Sequence, residues 1–160
     1  MRETFESVNQ LLSYYGFIKN SVRGIKTLLP KKHQGSWTAF SSMAVKCSLE
    51  DKFCFIGDVE RYARAYHKLK LAEAYTRNLK HTPIPYDCLL FIMEQYYSTD
   101  ISLWGLANML KRRIEKGEPL PARLKHRQHI SRILSDMKKH MAPYFQLKGY
   151  IQKAELCEQV

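Results

Sequence analysis

The chain has 160 residues, of which 45% are hydrophobic and 26% charged, a composition typical of folded globular proteins that excludes wholesale disorder. Its 26 Lys and Arg outnumber its 15 Asp and Glu and give a formal net charge of +11. No apolar run approaches the ~18 residues that span a bilayer, and the opening residues lack the apolar core of a signal peptide. We therefore expect a soluble, cytoplasmic protein with no membrane partner.

The positive charge is concentrated in one stretch of the chain. Between Lys111 and Lys139 there are ten Lys and Arg against three Asp and Glu, so this stretch holds seven of the eleven net charges. Such an excess is typical of proteins with a polyanionic partner, because each phosphate that a Lys or Arg neutralises releases a counterion. We predict a nucleic acid as that partner; a solvated basic surface that serves solubility is the alternative.

Hydrophobic spacing predicts two helices in the first half of the chain. A first stripe of apolar residues favours a helix over 3–17, with Gly16 as its end. A loop-rich connector over 20–48 follows. A second helix is predicted from Gly57 to about Leu79, with Asp58 as its N-cap.

Three more helices are predicted in the second half. Pro85 suits the first turn of a strongly apolar helix. Asp100 or Ser102 then caps a helix with an i, i+3, i+4, i+7 apolar stripe. After a connector of about a dozen residues, a further helix with the same stripe begins near Arg127, and Pro143 ends or kinks it. No segment alternates with period two, so the predicted fold class is all-α.

The last two of these helices fit a helix-turn-helix with an inserted linker. Ala107 is the small residue that lets the second helix cross the first closely. Arg on the polar face of the second helix could pair bidentately with guanine, Ser and Gln tolerate several base edges, and flanking cations would contact phosphates. The predicted DNA-binding residues are Arg112, Arg113, Arg123, Lys125, Arg127, Gln128, Ser131, Arg132, Ser135 and Lys139.

Other interpretations remain open at this point. A tight helix-turn-helix takes about three or four residues in its turn, and this linker is longer, so two ordinary amphipathic helices are an alternative. An RNA-binding module or chaperone is a second candidate, in which Tyr144, Phe145 and Tyr150 beside Lys148 stack on bases, although these aromatics are better explained as core. The third candidate is an adaptor that binds only protein.

Neither an enzyme nor a metal site is expected. The four cysteines contain no C-x-x-C pair and are best explained as reduced thiols: Cys47, Cys54, Cys88 and Cys157. A zinc site that combines Cys47 and Cys54 with His33 or His67 is the weaker alternative. Phosphate-binding and zinc-protease motifs are absent from the sequence, so we predict no catalytic residues, no metal and no cofactor.

A family resemblance bears on the same segments. PYDCLLFIMEQYYSTDISLWGLANML, followed after an insertion by RQHISRILSDMKKHM, resembles the sigma-region-4-like end of the Q-type late antitermination proteins of lambdoid phages. At the amino end, LLSYYGFIK and SLEDKFCFIGDVERYA are similar to the opening helices of that class, with Tyr15 where a Trp is usual. The positions comparable to the class motifs are Tyr96, Tyr97, Ser102, Leu106, Ala107, Leu110, Ile130, Arg132 and Leu134.

The resemblance implies a late-gene activator in the cytoplasm of a bacterial host. Such a protein binds double-stranded DNA near a phage promoter, engages the paused host RNA polymerase with its sigma factor, and then lets the enzyme pass terminators. Residues 83–160 would form the helix-turn-helix region that holds DNA or nascent RNA. Residues 1–82 would supply the polymerase-facing surface, and the two regions could pack as one domain.

Overall fold

Five α-helices make up most of the described chain. The computed structural model of the protein describes residues 4–22, 40, 43, 46–76 and 83–152. Within these ranges the residues form no strand, and a single isolated bridge pairs Phe5 with Ile151. The all-α fold class predicted from the sequence is confirmed. The helices are α1 (Val8–Val22), α2 (Leu49–Thr76), α3 (Tyr86–Ser98), α4 (Leu103–Glu115) and α5 (Arg127–Leu147).

All five helices contribute to one hydrophobic core. Residues on both sides of the predicted boundary at residue 82 belong to it, and α1 packs against α2, α3 and α5. Among the helices of the described ranges, none combines the length and the apolar character needed to cross a bilayer. Fully or almost fully buried side chains of the core include Leu12, Val59, Ile92, Leu110, Met137 and Phe145.

The predicted end of the first helix at Gly16 is wrong, because α1 runs through this glycine to Val22. A Cβ atom on Gly16 would lie 2.1 Å from the main-chain oxygen of Tyr97, so the residue allows α1 to approach the end of α3. Asn20, one turn further along, donates a 2.8 Å hydrogen bond from Nδ2 to the Ser98 carbonyl. Gly16 is therefore a packing residue rather than a helix stop.

The start of the second helix was also predicted wrongly. α2 begins at Leu49, eight residues before the expected start, and the side chain of Ser48 accepts a 3.1 Å hydrogen bond from the Asp51 N–H. Ser48 is thus in the capping position that was predicted for Asp58. Asp58 lies inside α2, where it pairs with Arg61 at 3.0 Å and accepts a 2.6 Å hydrogen bond from the Tyr150 hydroxyl.

A half-buried ionic cluster joins α1, α2 and α3. Lys19 forms an ion pair with Glu60, and its Nζ lies 3.0 Å from Oε1 of Glu94. The Tyr15 hydroxyl donates a 2.5 Å hydrogen bond to the Glu60 carboxylate. Burial alone would lower the pKa of Lys19, but hydrogen bonds to the two carboxylates raise it above its ordinary value. The cluster therefore holds a charged lysine inside the three-helix contact.

The helix starts of the second half agree with the sequence analysis. Pro85 immediately precedes α3, and its carbonyl accepts the N–H of Leu89 at 3.0 Å. Of the two predicted caps, Asp100 and Ser102, the N-cap of α4 is Ser102, because its Oγ accepts a 3.0 Å hydrogen bond from the Gly105 N–H. The predicted start of the last helix near Arg127 is confirmed as well.

Pro143 does not end the last helix, which continues to Leu147. The residues around Pro143 explain why the helix continues: Met141 and Phe145 are both fully buried, so the turn that contains the proline is fixed by packing in the core. The loss of one backbone hydrogen bond at a proline is offset here by apolar burial on both sides of it.

The inserted connector between α4 and α5 packs back against the protein. It contains a 3-10 turn over Ala122–Lys125 that contacts α4, and Leu124 within it is completely buried. Gly117 has a φ of 96°, a left-handed conformation that favours glycine, and allows the chain to reverse after α4. The insertion therefore fixes where α5 begins relative to α4.

Candidate nucleic-acid interface

A cleft of about 980 Å³ lies where the amino-terminal turns of α4 and α5 meet. From α5, the cleft is lined by Arg127, Gln128, Ser131 and Arg132. The facing wall is formed by Tyr96 near the end of α3 and by residues 100–104, which include the Ser102 cap and Trp104. We call it the larger cleft, because a smaller one lies beside it. It brings together four of the ten predicted DNA-binding residues.

A smaller cleft of about 380 Å³ lies beside it. Its lining includes Ala107, Asn108 and Lys111 of α4 together with Lys125 and His126 of the connector. Three residues line both clefts and therefore lie between them: Trp104, Arg127 and Gln128. We call the two clefts together the α4–α5 surface.

The α4–α5 surface is strongly positive. Among the described residues that line it, Lys111, Lys125, Arg127 and Arg132 are cationic, and Asp100 is the only carboxylate. All four cations are exposed to solvent. Such a surface attracts a polyanion, since its four cations are exposed and outnumber the one carboxylate that lines it.

The buried stripe beneath this surface orients its polar side chains. Ile130 and Leu134 of α5 are buried, which directs Gln128, Arg132, Ser135 and Lys139 to solvent, with Ser131 half-buried. Ala107 is 5% exposed and lines the smaller cleft beside the start of α5. The expectation that Ala107 is buried is therefore confirmed, and its role as the point where α5 crosses α4 stays a prediction.

The other predicted DNA-binding residues lie outside the two clefts. Arg113 is engaged within the chain, where its guanidinium lies 2.8 Å from Oε2 of Glu118 and 4.8 Å from the centre of the Phe91 ring. Arg123 lines a third cleft, between α2 and α5, and burial lowers its pKa. The exposed residues that line none of these clefts are Arg112, Ser135 and Lys139.

Contacts with α2 hold α5 in place at Asp136. Nζ of Lys70 lies 2.8 Å from Oδ2 of Asp136, and the Tyr66 hydroxyl donates a 2.5 Å hydrogen bond to the same oxygen. Burial alone would raise the pKa of Asp136, but the hydrogen bonds from Lys70 and Tyr66 hold it below the ordinary value. One turn later, the Tyr62 hydroxyl donates to the main-chain oxygen of His140. These contacts fix the helix that carries Arg132.

The sequence analysis did not select Trp104, Asn108 or Lys111 as site residues. Helical spacing contains the signal, because Trp104, Asn108 and Lys111 recur at i, i+4 and i+7 on the face opposite the buried Leu106 and Leu110. A tryptophan on a polar helix face is unusual, and here 62% of its surface is exposed. Asp100 was noted as a possible cap, and Tyr96 as part of a family motif.

The aromatics that could have stacked on RNA belong to the core. Phe145 is fully buried and Tyr150 nearly so. The ring centre of the half-buried Tyr144 lies 4.3 Å from that of Tyr62. The interpretation of these residues as core is confirmed, and this observation removes the main support for a stacking surface at the end of α5.

The described cysteines and histidines do not converge. No group of three or more His, Cys, Asp or Glu that could hold a metal ion occurs among the residues the structure describes, and His33 and Cys157 lie outside them. His67 instead makes a 2.8 Å hydrogen bond with the Ile84 carbonyl. Cys88 is buried, and burial raises the pKa of its thiol to about 11.

Comparison with known proteins gives no match: no family model, no curated protein and no solved structure matches the chain.

Proposed function

We propose that the chain is a sequence-specific DNA-binding protein that contacts duplex DNA through the α4–α5 surface. The observation that carries this proposal is the composition of the two adjoining clefts, which present four exposed cations and one carboxylate. Phosphate contacts dominate the affinity of proteins for DNA, so a surface of this sign at the amino-terminal end of an amphipathic helix suits a duplex.

Within this surface we assign α5 as the recognition helix of a helix-turn-helix. Gln128, Ser131 and Arg132 lie in its first two turns, the part of a recognition helix that contacts base edges in the major groove. Lys111, Lys125 and Arg127 would bind phosphates on either side of the bases that α5 contacts. Arg112 and Lys139 would bind phosphates further out. The burial of Ala107 supports the assignment, since a small buried residue in α4 would let the start of α5 lie close to it. Arg113 is left out, because Glu118 already binds it.

We further propose that the protein acts on transcription, as its resemblance to Q-type antitermination proteins implies. In this role it would bind DNA near a promoter in the cytoplasm of a bacterial host. It would then engage the paused RNA polymerase with its sigma factor and remain with the enzyme past terminators. The chain would perform no covalent chemistry, because stronger binding to one polymerase state than to another is sufficient to shift the population of states.

One arginine variant and one lysine variant test the DNA-binding proposal. A preferred duplex is first selected from a random library with the full-length chain, and dissociation constants are then measured on that duplex and on random duplex. Arg132→Ala should cost about 1–3 kcal/mol on the preferred duplex and reduce discrimination, as expected for an arginine that reads bases. Lys125→Ala should weaken binding to both duplexes alike, as expected for a phosphate contact.

Arg61→Ala is the matched control, because it removes the same charge from an exposed position on α2 that lines neither cleft. It should leave both dissociation constants unchanged. Equal effects of all three variants would contradict the assignment of α5. Tighter binding to single-stranded RNA than to any duplex would favour the RNA-binding alternative, and no affinity for nucleic acid at physiological salt would favour the protein adaptor.

The transcription role is tested separately, by terminator read-through in a purified bacterial polymerase system with a template that carries the preferred duplex. Read-through should rise with the parent chain and should not rise with Arg132→Ala. A chain that binds DNA but leaves read-through unchanged would confine the function to DNA binding.

A further inference from the structure

The indole of Trp104 is the feature of the α4–α5 surface that duplex binding does not explain. It lies between the two clefts, in the first turn of α4, with 62% of its surface exposed. Single exposed hydrophobic residues are common on protein surfaces, and what distinguishes Trp104 is its position between two basic clefts. A stacked duplex presents base edges and phosphates to a protein, whereas an aromatic ring stacks on the face of a base.

The larger cleft has the chemistry of a nucleobase site. Two aromatic side chains, Tyr96 and Trp104, line it together with the Asp100 carboxylate, the Gln128 amide and the Ser131 hydroxyl. Flat apolar walls with a few donors and acceptors are what a base requires, because its faces are apolar and its edges are polar.

The cations are arranged to suit the backbone that would carry such a base. Arg127 lines both clefts and Arg132 lines the larger one, so a positive side chain stands at the cleft that would receive the base and at its junction with the smaller cleft. Lys111 and Lys125 of the smaller cleft continue the positive charge away from Trp104. These positive side chains would contact the phosphates of a strand that leaves the paired DNA and enters the larger cleft.

We infer that the larger cleft takes one unpaired base of a DNA strand, stacked on Trp104, while the adjoining duplex lies on the basic residues. This inference rests on the proposed DNA-binding function and adds the preferred ligand: a duplex with a locally opened base, in place of a fully paired one. DNA opened by a transcribing polymerase supplies such a ligand, at the junction between its paired and unpaired bases.

The test compares the binding of the full-length chain to four labelled ligands of one sequence. These are an intact duplex, the same duplex with one unpaired base, that duplex with the unpaired base replaced by an abasic analogue, and the single strand alone. The dissociation constant for the duplex with the unpaired base should be about tenfold lower than for the intact duplex, as stacking of one base on an aromatic ring provides. The abasic ligand should lose this advantage.

Variants at Trp104 assign the advantage to the indole. Trp104→Ala should bind the intact and the unpaired ligands with equal dissociation constants, and Trp104→Phe should keep most of the preference. Tyr75→Ala is the matched control, since Tyr75 is an aromatic residue of α2 that is 91% exposed and lines neither cleft. It should keep the full tenfold preference. Because both side chains are exposed, thermal melts of all variants should match that of the parent chain.

The outcomes separate this inference from the function on which it rests. Equal binding of the intact and unpaired ligands by the parent chain would overturn the base site and leave duplex binding intact, as would a preference that survives Trp104→Ala. Absence of binding to every ligand would overturn both proposals. Tightest binding to the single strand alone would replace the junction with a single-strand site.

Discussion

The hydroxyl of Tyr66 donates a 2.5 Å hydrogen bond to Oδ2 of Asp136, on the same oxygen that accepts Nζ of Lys70 at 2.8 Å. Both donors belong to α2, and Asp136 follows Arg132 by one turn of α5. A helix that is not part of the α4–α5 surface therefore sets the position of the side chains that we propose to read DNA. We therefore expect the stability of the fold and the proposed DNA binding to be coupled through this carboxylate.

We predict that Asp136→Asn lowers the free energy of unfolding by about 1 kcal/mol at neutral pH, because the substitution removes the charge of a partly exposed ion pair. The melting temperature should fall by a few degrees. Glu115→Gln, which removes an exposed carboxylate near the end of α4, should leave the melting temperature unchanged. An equal loss in the two variants would show that net charge, and not the contact with α2, is responsible.

The same contact predicts how the effect depends on pH. The folded-state pKa of Asp136 lies below its ordinary value of 3.8, so the contact stabilises the fold above this value and is lost as the pH falls through the folded pKa. The difference in melting temperature between the parent chain and Asp136→Asn should therefore be constant near neutral pH and shrink below about pH 4. A difference that persists undiminished under acid conditions would contradict the assignment.

We predict a steep salt dependence for duplex binding. If the α4–α5 surface and its outer cations make about four to six phosphate contacts, the logarithm of the binding constant should fall with the logarithm of the salt concentration with a slope near −4 to −5. Lys111→Ala should reduce the magnitude of this slope by about one. Fluorescence anisotropy over a salt series measures both values, and a flat response would refute the electrostatic argument.

Ala107→Leu should destabilise the protein, because Ala107 is almost fully buried beside the start of α5. Overpacking of this kind costs about 1–3 kcal/mol, whereas on an exposed helix face the same change is close to neutral. Asn108→Leu provides that exposed comparison at the next residue. A thermal melt should therefore show a loss of several degrees for Ala107→Leu alone. DNA affinity should fall with it, since the contact positions α5.

Two glycines in different helices should respond to alanine with opposite signs. Gly16→Ala places a Cβ 2.1 Å from the Tyr97 main-chain oxygen, and should destabilise the protein because α1 or α3 must move. Gly57→Ala meets nothing within 4 Å inside α2, and should stabilise the protein by about 0.5–1 kcal/mol. Chemical unfolding of the two variants measures both values, and a stabilising Gly16→Ala would contradict the close approach of α1 to α3.

The features predicted correctly from the sequence depend on local interactions, and those predicted wrongly depend on contacts between residues that are far apart in the chain. The caps and stripes of α4 and α5 are local patterns, and both the Ser102 cap and the start at Arg127 were predictable from them. Gly16 and Asp58 were misread because their partners, Tyr97 and Tyr150, are distant in the sequence. Local rules assign a glycine to a helix end and an aspartate to a cap, and only the tertiary contact overrides them.

The candidate site was predictable in part. Two cations of the larger cleft, Arg127 and Arg132, and two polar residues, Gln128 and Ser131, were predicted from the polar face of α5 and from the charge distribution along the chain. Arg113 and Arg123 satisfied the same patterns, but Arg113 is bound by Glu118, and Arg123 is half-buried and lines only the cleft between α2 and α5, which Arg132 lines as well. Trp104 was missed, because hydrophobic periodicity searches for apolar residues that share a face and gives no weight to a lone one on the polar side.

The pairing of Phe5 with Ile151 determines when the fold can be completed during synthesis. The Phe5 N–H donates to the Tyr150 carbonyl at 2.7 Å, and the Gln152 N–H donates to the Phe5 carbonyl at 3.0 Å. Phe5 is also almost fully buried, against the ring of Phe55. A nascent chain on the ribosome thus makes α1 first but lacks the backbone partners of Phe5 until almost all of the described residues have been translated. Closing so long a loop carries an entropic cost that grows with the logarithm of its length. Because the partners of Phe5 follow α5, the native core can be completed only after α5 has been synthesised.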